Sequence, residues 1–455
     1  MSAASKKGAR RPAPAPAAPD RPGLAARLVA ARLLGAVVET RTSLDGLTDP
    51  KGGHPGFRAL EPRDQGLVKA ILLSALRHRG TLERVLAERL EHPLPEGARS
   101  LRHLLHVAAA QILFLDVPDS AAVDLGVAAA DGDPRNRRFK GLVNALLRRL
   151  AREKAAIAPL AGETLPGWLR ERLVASYGVP ATEAIALAHL APAPIDLTVK
   201  SDPEGWAARL GGRALPTGTV RLAALDGPLT DLPGFAEGEW WVQDAAAALP
   251  ARLFGPLRGR RALDLCAAPG GKTAQLAEAG AAVTALDQSE TRMRRLRDNL
   301  TRLGLQAETL VADAASFAPD APFDAVLLDA PCSSTGTIRR HPDVAFTKDA
   351  AEVEKLARVQ ARLLAHAAKL VAPGGTLVFS NCSLDPAEGE AVVEAFLAEE
   401  PDFHLDPVRP EELPGLGEAI DAQGRLRTLP SMLADPEPRL SGLDGFFAAR
   451  LIRRG

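Results

Sequence analysis

One stretch restricts the fold more than any other: Ala262 to Lys272, Ala-Leu-Asp-Leu-Cys-Ala-Ala-Pro-Gly-Gly-Lys. A short apolar run ends in a Gly-Gly turn, and a helical pattern follows from Thr273 to Ala279. This is the strand–turn–helix opening of an α/β sheet that binds nucleotides. Small residues through Cys266, Ala267, Ala268, Pro269, Gly270, Gly271 and Lys272 let a ligand approach the backbone, and the glycines allow φ > 0. The helix start aims its N–H groups at that ligand. Two commoner motifs are excluded. Gly271-Lys272-Thr273 copies the end of a P-loop, but Cys266 stands where the P-loop needs its first glycine. Pro269 also removes an N–H from the phosphate cradle. The dinucleotide pattern GxGxxG is not met either.

The next two strands end in acids. Ala282 to Leu286 leads into Asp287, placed to bind ribose hydroxyls, and Glu308 to Val311 leads into Asp313, placed to meet the exocyclic amine of an adenine. An acid for ribose and an acid for base, with no second phosphate site, match S-adenosylmethionine: a nucleoside carrying a sulfonium where phosphates would be. The helix after Asp287 turns Met293, Leu296, Leu300 and Leu303 inward and Arg292, Arg294, Arg295 and Arg297 outward, as a solvated face or as contacts to RNA phosphates.

Strand four, Phe323 to Leu328, runs into Asp329-Ala-Pro-Cys332-Ser-Ser-Thr-Gly336; strand five, Thr376 to Phe379, runs into Ser380-Asn381-Cys382-Ser383. Ligands of a doubly wound sheet sit at the C-terminal strand ends, so both cysteines face one crevice. Carbon 5 of cytosine is a poor nucleophile. A thiolate added at carbon 6 makes it enamine-like and able to take a methyl from a sulfonium. A carboxyl group against N3 would stabilise ring charge, and another acid or base would assist loss of the carbon-5 proton and of the thiol. Asp329, Cys332 and Cys382 supply these parts.

At 455 residues the chain needs two or three domains. Residues 1–22, rich in Ala and Pro with Lys6, Lys7, Arg10 and Arg11, are expected to be a disordered tail. Residues 23–155 show helical periodicity throughout, as in Leu28, Ala31, Leu34, Val37 and Val38, and read as an all-α bundle. Residues 156–250 read as a linker, small helices and a small α/β piece. It has a strand at Ile195 to Lys200, a short helix at Trp206 to Leu210 and an Ala-rich helix after Asp244. Residues 251–455 alternate strands and helices. Net charge is zero, yet residues 1–150 hold 24 Lys+Arg against 15 Asp+Glu, and residues 151–455 hold 32 against 41. A basic front half points to a polyanion-binding module. Three cysteines without CxxC spacing argue against a metal site and fit a reducing cytosol. No run approaches the roughly 18 apolar residues of a membrane span. The expectation is a cytoplasmic protein, monomeric, without metal or membrane.

Two resemblances sharpen this. Ala108 to Val117 with Pro118, and the helix from Asn136 with Phe139, Leu142, Val143, Leu146 and Leu147 inside and Arg137, Arg138, Lys140, Arg148 and Arg149 around it, resemble the NusB family of RNA-binding bundles. Residues 194–455 resemble the 5-methylcytosine RNA methyltransferases of the NOL1/NOP2/Sun class. The matching motifs are Asp264 to Thr273, Asp329-Ala-Pro-Cys332-Ser, His341-Pro-Asp343, Asn381-Cys382-Ser383 and a closing strand at Asp444 to Arg450. With the front bundle, the whole chain is similar to the members acting on small-subunit (16S) ribosomal RNA. The resemblance implies a Rossmann-like methyltransferase domain. It implies Cys382 as nucleophile, Cys332 as the cysteine that helps release product, and Asp329 as the acid at the target base and also a cofactor contact. It further implies cofactor contacts from the 266–272 turn, Asp287 and Asp313. One departure is Asn381, where the family usually has Thr. A cytosine of tRNA or 23S rRNA, DNA cytosine, a protein acceptor and a non-catalytic RNA-binding role are the competing readings. DNA cytosine enzymes carry the nucleophile in the strand-four loop alone, so Cys382 counts against them.

Overall fold

A computed structural model describes residues 21–225 and 227–455. The expected disordered tail therefore lies, up to residue 20, outside the described residues. The front of the chain is helical: Leu24–Thr40, Pro62–Arg77, Arg79–Ala87, Arg99–Phe114, Asp119–Gly132 and Lys140–Glu153 share one apolar core. Two single-turn helices, Leu44–Leu47 and Pro55–Arg58, interrupt the connection after the first helix. The buried stripe is rotated from the expected one. Ala26, Val29, Ala30, Leu33, Leu34 and Val37 are inside, whereas Leu28 and Leu142 are exposed. For the first helix, the buried Gln111 of Arg99–Phe114 accepts a hydrogen bond from Arg27 at 2.9 Å, which turns the Arg27 side of that helix inward.

The segment expected as a linker is a packed element. Gly167–Ala188 is helical on both sides of a kink at Gly178 (φ 78), with Pro180 just beyond. Leu165, Leu169, Leu173, Ile185 and Ala186 pack against Ile338, Val344, Ala345 and Leu384, directly behind the cysteine loops. Strands β1 (Ile195–Val199), β2 (Arg213–Ala214), β3 (Thr219–Leu222) and β4 (Trp240–Val242) form an antiparallel sheet in the order β2-β3-β1-β4. The Ala-rich helix expected after Asp244 shrinks to one turn, Leu249–Arg252. Asp244 accepts the N–H of Ala246 and pairs with Arg339 and Arg340, which holds the chain there in a turn.

The second sheet comprises β5 (Arg261–Leu265), β6 (Ala282–Asp287), β7 (Glu308–Val311), β8 (Phe323–Asp329), β9 (Val371–Asn381), β10 (Phe403–Leu405), β11 (Leu426–Thr428) and β12 (Phe446–Arg453). Its order is β10-β12-β9-β8-β5-β6-β7, with β11 on β12. Strands β5 to β9 are parallel, and β12 runs antiparallel to β9. Alternation along β8 divides the core. Val326 and Leu328 pack with Leu363, Leu364 and Ala367 of helix Ala350–Lys369, while Ala325 and Leu327 pack with Leu276 and Leu249 on the other face. Helices thus cover both faces, as a parallel sheet requires. Strand β9 is longer than expected because 372–375 bulges out between the pairs Phe323–Val371 and Ala325–Thr376.

The small sheet is tied to the large domain by Arg221, which is buried and grips Asp196 through Nε and Nη2 at 2.7 Å each. Its Nη1 donates to the carbonyls of Leu440 and Gly442. Removing one partner of a buried, fully bonded pair costs about 3–5 kcal/mol. Arg221→Met is expected to destabilise the small sheet by that order. Denaturant unfolding followed by tryptophan fluorescence checks it, since Trp206 and Trp240 lie in this sheet's core.

Candidate active site

The crevice at the C-terminal strand ends forms a cavity of about 720 Å³. Because the strand order is β9-β8-β5-β6-β7, the residues at or just beyond the ends of these strands line up across it: Cys382, then Asp329 and Cys332, then Cys266, then Asp287, then Asp313. The sharpest feature is a pair of sulfurs, Cys332 Sγ and Cys382 Sγ, 3.3 Å apart. The hydrogen bond with Cys382, reinforced by burial, pushes the Cys332 thiol well above its ordinary range, so Cys332 carries its proton. Asp329 lies beside the pair with both oxygens engaged. Lys272 Nζ donates to Oδ2 at 2.7 Å, and Ser380 Oγ donates to Oδ1 at 3.0 Å. Lys272 also sits over the Phe446 ring, 4.9 Å from its centroid.

At the far side Asp287 is buried. Its Oδ1 receives Ser289 N–H and pairs with Arg292 at 2.8 Å, while Oδ2 meets no donor among the described residues. Asp313 accepts the N–H of Ala315. Arg362 and Val359, on the helix after β8, close the remaining wall.

The turn after β5 divides its duties. Only Cys266 and Ala268 line the cavity. Cys266 adopts φ 62, and its thiol is pushed up to about 12, by burial first and then by the carboxylates of Asp329, Asp287 and Asp264. Ala267 binds back to Leu286 O, and Pro269 O accepts from Asn299. Gly270 has φ 100, and a Cβ there would lie 2.7 Å from Leu296 Cγ, so the turn packs on the next helix. Of the positions expected to contact cofactor, Ala267, Pro269, Gly270, Gly271 and Lys272 shape the turn or hold Asp329, and do not line the cavity. His341 is half-exposed, 3.7 Å from Asp45, and Asp343 accepts the N–H of Leu44, so this motif meets the front bundle rather than the cavity.

Three site residues escape sequence reasoning. Ser380 stands in the Cys382 motif with no role of its own to be read from the sequence, yet it is the last strand residue that supports Asp329. Gln360 reads as one polar residue on an amphipathic helix. Glu388 reads as a solvated turn residue, yet it is fully buried and bonded to both cysteine loops. Burial raises its carboxyl above the ordinary range, against the opposing hydrogen bonds of Ser333 and Ser383.

The fold and site define an α/β methyltransferase joined to a helical bundle. A family model described as 16S rRNA methyltransferase RsmB/F matches residues 251–452, and a NusB family model matches residues 24–152. The Ribosomal RNA small subunit methyltransferase B of Xylella fastidiosa (strain Temecula1) is 41% identical over 448 residues, covering 95% of this chain and 98% of that one. The protein of the same name from Klebsiella pneumoniae subsp. pneumoniae is 34% identical, covering 94% and 98%. Among solved structures, the crystal structure of PH0851 has TM-score 0.68 and 25% identity, covering 95% of this chain and 99% of its own. NSun6 from Pyrococcus horikoshii with SFG, at 20% identity and TM-score 0.54 over 64% of this chain and 99% of its own, shares the fold. The chain belongs to the 16S rRNA methyltransferase RsmB/F family, with a NusB-family domain in front.

Asp264, beneath the turn, accepts from Thr273 Oγ1 at 2.6 Å, but burial raises its carboxyl to about 7. Its folded-state pKa exceeds the unfolded one, so the stability it contributes is full below about pH 4 and is lost as pH rises towards 7. Asp264→Asn is expected to flatten that part of the stability profile, gaining on the order of a few kcal/mol at neutral pH. Thermal unfolding of both proteins between those pH values measures it.

Proposed function

We propose that this chain transfers the methyl group of S-adenosylmethionine to carbon 5 of a cytosine in 16S ribosomal RNA, through a covalent bond between Cys382 and carbon 6. The observation that carries this is the cysteine pair, 3.3 Å apart in a cavity that also holds Asp287 and Asp313. The residues fit the methyl donor. Asp287 offers a buried oxygen that meets no donor among the described residues, suited to a ribose hydroxyl. When bound, the donor supplies an electrophilic methyl on a positively charged sulfur.

Cys382, as thiolate, would add to carbon 6, and the ring electrons would move to carbon 5, which would take the methyl as its bond to the sulfonium sulfur breaks, the bonding pair staying on a neutral thioether that leaves. Asp329, held by Lys272 and Ser380, is the acid placed to steady charge on the ring. The carbon-5 proton then passes to a base, its bonding pair re-forms the ring double bond, and Cys382 departs as thiolate. Cys332 lies against that departing sulfur with its proton in place, ready to hydrogen-bond it. The basic NusB-family bundle supports an RNA substrate, and the names of the full-length relatives support the small ribosomal subunit as its source.

Cys382→Ala should lower methyl transfer to 16S rRNA by roughly a thousandfold or more. Radiolabelled methyl incorporation tests it, and near-normal turnover would reject the nucleophile assignment. Cys332→Ala should accumulate a covalent protein–RNA adduct on denaturing gels; no retarded band would remove Cys332 from product release. Asp287→Ala should weaken donor binding by at least about tenfold, as lost charge-assisted hydrogen bonds to ribose predict, and calorimetry with S-adenosylmethionine measures it.

A further inference from the structure

The two cysteines sit on separate loops, 50 residues apart in sequence, and a parallel sheet does not by itself fix the distance between two loop tips. Something must hold them, and the hydrogen bonds converge on Glu388. Its Oε1 accepts from Ser333 N at 2.9 Å and from Gln360 Nε2 at 3.0 Å. Its Oε2 accepts from Ser333 Oγ at 2.5 Å and from Ser383 Oγ at 2.6 Å. Ser333 follows Cys332, and Ser383 follows Cys382. The residues before the cysteines are tied to the same centre. Gln360 also donates to Pro331 O at 3.0 Å, and Asn381 Nδ2 donates to the backbone carbonyl of Glu388 at 2.6 Å. All four chain neighbours of the two sulfurs are thus anchored to one residue or to its partner. Glu388 itself does not line the cavity.

We propose that Glu388 is a positioning residue that sets the separation and orientation of Cys332 and Cys382, acting through Ser333 and Ser383. Four donors meet the four lone-pair directions of one carboxylate, an acceptor-only group of matching capacity. No neutral side chain of that shape accepts all four. The departure at Asn381 belongs to the same device. Its amide bonds Glu388 O on one side and receives Ser383 N–H at 2.9 Å on the other, which pins the backbone flanking Cys382.

The proposal rests on the two-cysteine reading above, so its test has one arm that needs no methyl transfer. Phenylarsine oxide joins two neighbouring thiols, forming two As–S bonds and releasing water, and it reports their proximity directly. In the full-length protein, Glu388→Gln keeps the side-chain shape while replacing two acceptor directions with N–H donors. Expected are a fall of roughly 100-fold in kcat, the order produced by slight misplacement of reacting groups, and a clear slowing of arsenical capture. KM for RNA and affinity for S-adenosylmethionine should stay within about twofold, because Glu388 touches neither end of the donor site. Glu388→Ala should be worse in both readouts, with intact donor binding as the folding control. Unchanged capture, or a raised KM with kcat preserved, would overturn the positioning role. If the wild-type chain methylated no cytosine, the functional reading would fail, while the arsenical arm would still decide whether Glu388 holds the thiols together.

Discussion

The pairing of β8 with β9 is the constraint on which the site depends. These parallel strands run in register from Ala325–Thr376 to Asp329–Ser380, so both chains leave the sheet at the same level. Cys332 lies three residues beyond Asp329, and Cys382 two beyond Ser380. Ser380 also donates to Asp329, so the last rung of the ladder doubles as the support of the proposed ring-contacting acid. A one-residue slip would reverse which side chains face the crevice and separate the sulfurs. The antiparallel strand β12 stiffens this edge by pairing along β9 from Thr376 to Asn381. Gly336 then bridges the loops, donating to Cys382 O and accepting from Gly445 N–H.

Electrostatics keep this arrangement tight. Asp264, Asp287 and Asp329 are crowded beneath and beside one cavity, and each meets a different compensation. Thr273 bonds Asp264, Arg292 pairs with Asp287, and Lys272 pairs with Asp329. Beyond the Cys332 loop, Arg339 and Arg340 share Asp244 and Asp444, and Arg340 also reaches Pro194 O. These buried charges join the small sheet, the loop and the entry to β12. A buried charge without its partner is costly, so separating any of the three segments from the others is opposed.

The front bundle touches the catalytic domain at two of its segments. Asp343 accepts from Leu44 N–H at 2.9 Å, Arg77 donates to Arg339 O at 2.7 Å, and Asp49 pairs with Arg295 at 2.9 Å. Phe346 packs into the bundle's core. Arg295 is on the helix that carries Arg292, the partner of Asp287, and Arg339 follows the Cys332 loop. The module proposed to hold RNA is therefore braced against the helix that carries Arg292 and against the segment that follows the Cys332 loop.

By itself the sequence determined the fold class, the order of the parallel strands of the catalytic sheet and which side chains stand at their ends. Hydrophobic period, the 266–272 turn and acids at successive strand ends are local signals, because each follows from a few adjacent residues. The helices' rotation, the packed kinked helix at Gly167–Ala188 and the one-turn helix after Asp244 were not legible. Each is set by distant partners such as Gln111, Leu384 and Arg340. Within the site, the cysteine loops could be named from sequence, but not the 3.3 Å between their sulfurs, Lys272 turned to Asp329, or Glu388 buried between the loops. Those are decided by contacts that include spans of 50 to 57 residues, where burial makes a lone carboxylate costly unless several donors reach it at once. Only the folded chain brings such donors together.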